Sequence, residues 1–125
     1  MVVLVLEAIK QDFSVCKVPE LSEVDFTDEF CFVGKTDEEL SLVCSTKCVP
    51  ETATERDDGW KAFRIRGPLD FSMIGVLSKI AGILADAGIG IFAVSTYNTD
   101  YILTKKDKFE LTLSLLESAG YDVIR

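Results

Sequence analysis

The chain has 125 residues, of which 48% are hydrophobic and 27% charged, a balance typical of a globular protein. Acidic residues outnumber basic ones 21 to 13, and the formal net charge of −8 argues against partners such as nucleic acids and anionic membranes. There is no histidine, so the commonest general base and the commonest metal ligand are both missing, and we do not expect an enzyme.

The first part of the chain, residues 1–49, is rich in β-like apolar runs. Strands are predicted at 2–9, 13–18, 29–33 and 40–46. The short segments 21–24 and 37–39 could each supply one turn of helix at most. We therefore interpret this part as a β-rich unit with little apolar cover of its own.

The cysteines and the N-terminal run both bear on the compartment. Cys16, Cys31 and Cys44 lie in strand-like runs, where a reduced thiol behaves as a small hydrophobic side chain. Cys44 and Cys48 are close in sequence but have no second close pair, so a zinc site is the weaker interpretation. The apolar run 1–6 lacks a basic leading segment and a cleavage site. We expect reduced cysteines, no metal or cofactor, and a cytoplasmic protein.

A polar segment at 50–59 predicts a linker, and the second part, 60–125, follows it. A strand is predicted at 60–66, followed by a helix from Ser72 that Asp70 or Ser72 caps and Gly88 ends. The apolar stripe of that helix is Met73, Leu77, Ile80, Leu84 and Ala87.

After this helix the apolar pattern alternates again. Strands are predicted at 89–96 and 100–104, joined by a turn at 97–99. A second helix is predicted from Asp107, with Glu110 in capping-box spacing, the stripe Phe109, Leu113 and Leu116, and Gly120 at its end. A last strand is predicted at 121–124. The order β-α-β-β-α-β predicts an α+β, ferredoxin-like fold with two helices on one face of an antiparallel sheet.

Two loops could carry chemistry. The turn 67–72 precedes a helix, whose free amides can receive a carboxylate or phosphate, although a plain capped turn explains it as well. The hairpin 95–101 concentrates Ser95, Thr96 and Asp100. Asp100 can pair with an ammonium or guanidinium group, or it can simply cap the turn. Neither loop sets a nucleophile beside a base, which again argues against catalysis.

Three segments carry a family resemblance: GPLDF at 67–71, GVL at 75–77 and AGIGIFAVSTYNTDYIL at 87–103. They resemble the ACT domain of small two-unit bacterial proteins. They are also similar to the ACT modules of CASTOR-type arginine sensors and, more distantly, of aspartate kinases. The segment LSLVC at 40–44 resembles the run that precedes the linker in these proteins.

The resemblance implies tandem ACT-like units, a shortened one at 1–49 and a full one at 60–125 joined by the linker 50–59. It also implies a regulatory protein that senses an amino acid or similar small metabolite near the first strand–helix turn. By position, the ligand-binding residues are Gly67, Leu69, Asp70, Phe71, Ile74, Gly75 and Val76, with Asp100 as the acidic residue that assists capture.

In ACT modules the ligand commonly lies at an interface between paired units, so the resemblance also implies a homo-oligomer, a dimer formed through sheet edges or helices. The alternative is an interaction module that dimerises or regulates an enzyme and has no ligand of its own.

Overall fold

A computed structural model describes residues 3–67 and 74–125. The chain divides into two compact units. Unit 1 comprises Met1–Lys10 and Lys61–Arg125, and unit 2 comprises Gln11–Trp60. This division differs from the predicted one, because the first ten residues group with the C-terminal part of the chain.

The described residues form strands, two α-helices and two short 3-10 turns. The strands are β1 Val5–Lys17, β2 Cys31–Lys35, β3 Leu40–Ser45, β4 Glu55–Ile65, β5 Phe92–Ser95, β6 Asp100–Lys105 and β7 Asp122–Ile124. The helices are α1 Val76–Asp86 and α2 Lys106–Ser118, and the 3-10 turns are Leu21–Glu23 and Thr46–Cys48. From β4 onward the element order is the predicted one.

Two strands differ from the predictions. The predicted strands 2–9 and 13–18 are one strand, β1, because the polar residues between them keep an extended backbone. The predicted linker 50–59 overlaps the start of β4, whose residues 55–58 are exposed. An exposed strand can consist of charged residues because its hydrogen bonds come from the backbone. The lack of large apolar side chains at 55–58 was therefore not evidence for a loop.

In unit 1 the strands follow the order β1-β4-β6-β5, and β7 pairs with β1 in parallel. β5 and β6 form an antiparallel hairpin in which Phe92 faces Leu103. Strands and both helices contribute to one apolar core: Leu6, Phe63, Ile65, Ile80, Leu84, Ile89, Ile102, Phe109, Leu113 and Leu116. The predicted stripe of α2 is therefore confirmed, and in α1 Ile80 and Leu84 are fully buried.

The starts and ends of the two helices can be compared with the caps that the sequence predicted. α1 begins at Val76, because Gly75 before it adopts a left-handed backbone with φ of 79°, which an α-helix does not contain. The predicted start at Ser72 and the predicted caps Asp70 and Ser72 lie outside the described residues. α2 begins at Lys106 with Lys105 at its N-cap, so the predicted Asp107–Glu110 capping box is wrong. Gly88 ends α1 as predicted, with φ of 74°.

Unit 2 has no α-helix. Its strands β2, β3 and β1 lie side by side in antiparallel order. The 3-10 turn Leu21–Glu23 matches the predicted helical turn, whereas 37–39 forms part of a tight hairpin in which the Thr36 amide donates to the Glu39 carbonyl at 2.9 Å. Phe13 and Val43 are buried in this unit. A separate core cluster of unit 2 is small and rich in sulfur: Cys16, Val18, Val24, Leu42 and Cys44.

Candidate functional site

A groove of about 570 Å³ lies in unit 1 at the start of α1. Its lining combines the helix start, the N-terminal residues of the chain and the segment that follows α2: Val3, Leu4, Ile74, Gly75, Val76, Lys79, Ile83, Ala119, Gly120 and Tyr121. The groove is thus built where a helix start, an apolar surface and a lysine meet.

The start of α1 gives this groove its polar chemistry. The first intrahelical bond runs from the Lys79 amide to the Gly75 carbonyl at 2.9 Å, so the amides before Lys79 have no partner within the helix. Gly75, the N-cap residue, has no side chain, and no side chain of residues 3–67 and 74–125 caps the helix. Amides without a partner in the helix and the positive end of the helix dipole favour an anionic group here, and the Lys79 ammonium adds a positive charge.

The rest of the groove is apolar. Ile83 and Leu4 are partly buried against the core of unit 1, and Tyr121 is half-buried, which raises the pKa of its hydroxyl. Ile74 is 95% exposed at the groove. The arrangement suits a small molecule that has one anionic end and an apolar portion.

A second, polar cleft of about 320 Å³ lies elsewhere in unit 1 and contains Gly67. Its other lining residues are Glu7, Arg64, Arg66, Asn98, Thr99 and Tyr101. Arg64 Nε donates to Glu7 Oε1 at 2.9 Å, and the same guanidinium approaches the Tyr101 hydroxyl at 3.4 Å. These two hydrogen bonds raise the pKa of Arg64 and hold its charge within an existing ion pair.

Hydrogen bonds within the β5–β6 hairpin organise its polar side chains. Ser95 Oγ donates to Asp100 Oδ1 at 2.6 Å, and the Thr96 amide donates to the Thr99 carbonyl at 2.8 Å. The Thr99 hydroxyl is buried and donates to the Ile65 carbonyl at 2.6 Å, which fixes the hairpin to the end of β4. Asp100 therefore takes part in the hydrogen bonds of the hairpin.

The structure separates the residues that the sequence grouped into one site. Ile74, Gly75 and Val76 line the groove, whereas Gly67 lines the polar cleft. Ser95, Thr96 and Asp100 lie on the hairpin and line neither of these two cavities. The remaining predicted site residues, Leu69, Asp70 and Phe71, lie outside the described residues.

Sequence reasoning missed most of the groove lining, including the three residues Lys79, Ile83 and Tyr121. Lys79 could have been found, because it follows Gly75 by four positions and so lies one helical turn above the helix start. Tyr121 could not, because it reaches the groove through the tertiary arrangement of the segment after α2.

Two further observations concern metal ions and membranes. In the described part of the chain, no three histidine, cysteine or acidic side chains are grouped so that they could hold a metal ion. Neither α1 nor α2 is long and apolar enough to cross a membrane.

A family model of the ACT domain matches residues 55–118, just over half of the chain. Among curated proteins, the human cytosolic arginine sensor for mTORC1 subunit 1 is 37% identical over 59 residues, which is 46% of this chain. The rat protein of the same name is 34% identical over the same length. The chain spans only 18% of the length of these relatives.

Solved structures extend the likeness over nearly the whole chain. The protein Atu0741 from Agobacterium tumefaciens has a TM-score of 0.86 and 29% identity, covering 99% of this chain and 94% of its own. Aspartate kinase from Synechocystis has a TM-score of 0.67 at 14% identity, covering 98% of this chain and 28% of its own, and so shares the fold alone. The predicted resemblance and the α+β architecture with an antiparallel sheet and two helices are thereby confirmed. The chain belongs to the ACT domain family.

Proposed function

We propose that this chain is a non-catalytic regulatory module that binds an amino acid or similar small metabolite in the groove at the start of α1. The observation that carries the proposal is the helix start at Gly75, which no side chain of the described residues caps, with Lys79 and an apolar wall in the same groove. Membership of the ACT family supports a regulatory role, and one relative is named as an arginine sensor. We also infer tandem ACT-like units and a cytoplasmic location.

The groove suggests how such a ligand lies. Its carboxylate accepts hydrogen bonds from the amides at the start of α1 and pairs with the Lys79 ammonium. Its side chain packs against Ile83 and Tyr121. Its ammonium group is assigned to Asp70, since Asp100, the other acidic residue that the family resemblance indicates, does not line the groove.

A thermal-shift panel of the twenty amino acids on the full chain tests this proposal, because a ligand that binds only the folded state raises the melting temperature. Calorimetric titration of the best ligand then compares wild type with Lys79→Met. We expect about a tenfold loss of affinity, equivalent to about 1.4 kcal/mol. Lys35→Met, an exposed lysine at the end of β2, is the matched control and should bind as wild type does. Equal losses in both variants would contradict a groove site.

One observation favours a second function, an interaction module that dimerises. Ile74 is 95% exposed at the groove, and such an apolar side chain suits a protein interface. In that case no amino acid shifts the melting temperature, and Ile74→Asp converts a dimer to a monomer in analytical ultracentrifugation. Leu111→Asp, a control at a 48% exposed leucine of α2, should leave the assembly unchanged.

A further inference from the structure

The four cysteines of the chain come together in the core of unit 2, although they are spread over 33 positions of sequence. Cys16 on β1 and Cys44 on β3 are buried, whereas Cys31 on β2 and Cys48, the last residue of a 3-10 turn, are half-buried. All four are free thiols. Cys44 interacts electrostatically with each of the other three, so it is the central thiol of the group.

The register of β2 and β3 places Cys31 directly opposite Cys44. The Thr36 amide donates to the Glu39 carbonyl at the hairpin turn, which makes Thr36 and Glu39 a hydrogen-bonded pair. Pairs alternate along an antiparallel ladder, and the cysteine pair is five positions from the turn, so it is a non-hydrogen-bonded pair. In such pairs the Cα atoms are about 4.5 Å apart and the side chains are close, whereas a disulfide spans Cα separations of about 4.4–6.8 Å.

Solvent reaches the two half-buried thiols, Cys31 and Cys48. Cys48 lines a cleft of about 320 Å³ together with Asp25, Asp28 and Lys47. Cys31 is half-buried and interacts electrostatically with Cys48 and with both aspartates that line the cleft. A small oxidant can therefore approach Cys31, and Cys44 lies opposite it in the core.

We propose that unit 2 contains a thiol oxidation site in which a peroxide converts Cys31 and Cys44 into a cross-strand disulfide. The Cys31 sulfur attacks the peroxide, the O–O bond breaks, and sulfenic acid and one alcohol or water molecule form. The Cys44 sulfur then attacks the sulfenic sulfur, the S–S bond forms, and water leaves. Overall, two thiols are oxidised by one peroxide, which is reduced to an alcohol and water, or to two waters when the peroxide is hydrogen peroxide.

Burial explains why the reduced state persists. It raises the pKa of both thiols, that of Cys44 to about 12, and the thiolate is the reactive form. Oxidation is thus slow at neutral pH and requires sustained exposure to peroxide. The site operates within unit 2 and is independent of the groove in unit 1.

The positions of the lysines and Arg56 make the test direct, because trypsin places each cysteine on a separate peptide: 11–17, 18–35, 36–47 and 48–56. The folded full chain is treated with hydrogen peroxide, unfolded, alkylated and digested. We expect peptides 18–35 and 36–47 to be joined by a disulfide, and the other two to be alkylated. Dithiothreitol should restore all four free thiols.

A disulfide that includes Cys48 or Cys16 would overturn the proposal, and so would alkylation of both Cys31 and Cys44 after prolonged treatment. Thiols that dithiothreitol does not restore would also overturn it, because they indicate oxidation to sulfinic acid. Cys48→Ser is the matched control and should still form the disulfide, whereas Cys31→Ser should not. The mapping on wild type decides the question even if a variant fails to fold.

Discussion

The core clusters of units 1 and 2 contain different types of side chain. In unit 1, α1 and α2 contribute aliphatic and aromatic side chains to the main cluster. Eight of its ten residues have 0% exposure: Leu6, Phe63, Ile65, Ile80, Leu84, Ile102, Leu113 and Leu116. Unit 2 has strands and short turns, and its cluster contains two thiols and three aliphatic residues. A helix brings a wide apolar stripe to a sheet, so a unit without one has less apolar area to bury.

Polar groups hold part of unit 2 together instead. Asp28 accepts hydrogen bonds from the Ser45 amide and the Ser45 hydroxyl, both at 2.8 Å. Ser14 is buried, and its hydroxyl donates to Asp58 at 2.6 Å. Such bonds contribute little when both partners are present, but losing one partner leaves a buried polar group without compensation. The comparison therefore predicts different kinds of fragility in the two units.

The largest expected effect is a core truncation in unit 1. Leu84→Ala removes a side chain with 0% exposure from α1 and should lower the free energy of unfolding by about 2–5 kcal/mol. A smaller truncation in unit 2, Val24→Ala at an 8% exposed site, should cost about 1–2 kcal/mol. Urea unfolding of both variants measures this difference. A larger cost for Val24→Ala would contradict the view that apolar burial is concentrated in unit 1.

The second prediction concerns the polar contacts of unit 2. Asp28→Asn replaces one carboxylate oxygen by an amide group, which cannot accept a hydrogen bond from Ser45. We expect a loss of about 1.5–3 kcal/mol in the free energy of unfolding, since these bonds involve a charged acceptor. Asp37→Asn, at an exposed hairpin position, is the control and should change it by less than about 0.5 kcal/mol. Equal stability of the two variants would remove the proposed role of Asp28.

The third prediction concerns the pH dependence that the buried thiol gives unit 2. Burial raises the pKa of Cys44 from 9.0 to about 12, so the folded chain holds this proton more tightly than the unfolded chain. Its contribution to stability is complete below pH 9 and is lost as the pH rises from about 9 to about 12, at up to about 1.4 kcal/mol per pH unit.

Urea unfolding under reducing conditions at pH 8 and pH 10 measures this contribution of Cys44 to the free energy of unfolding. Between these two pH values, wild type should lose about 1 kcal/mol more than Cys44→Val, which has no proton to lose at that site. Lysines and tyrosines titrate in both proteins and cancel in the comparison. A difference between the two proteins that does not change with pH would show that Cys44 ionises as freely when folded as when unfolded.

The spacing of apolar residues in the sequence predicted the buried face of α2. Phe109, Leu113 and Leu116 repeat at helical spacing, and all three are buried. The start of α1 could not be read in this way, because the left-handed backbone of Gly75 depends on the path of the chain into the helix. The start of β4 at Glu55 was also missed, since backbone pairing requires no apolar side chain.

The candidate site was only partly predictable for a related reason. Gly75 and Val76 were found because a helix start has recognisable chemistry, and Lys79 was within reach of the same argument. The pairing of Cys31 with Cys44 depends on strand register, which the hairpin turn sets and composition does not reveal.

The smallest expected effect on the free energy of unfolding concerns a carboxylate of unit 1. Asp100, like Asp28, accepts a hydrogen bond from a serine hydroxyl, but its partner Ser95 is exposed, and water can replace the bond when it is lost. Asp100→Asn should therefore change the free energy of unfolding by less than about 0.5 kcal/mol. Because Asp100 does not line the groove, the same variant should keep wild-type affinity in calorimetric titration, whereas a loss of more than about tenfold would assign the ligand's ammonium group to Asp100. Ser95→Ala removes the turn bond and keeps the charge, so it should bind the ligand as wild type does. Equal affinity of Asp100→Asn and wild type would leave Asp100 as a turn residue alone.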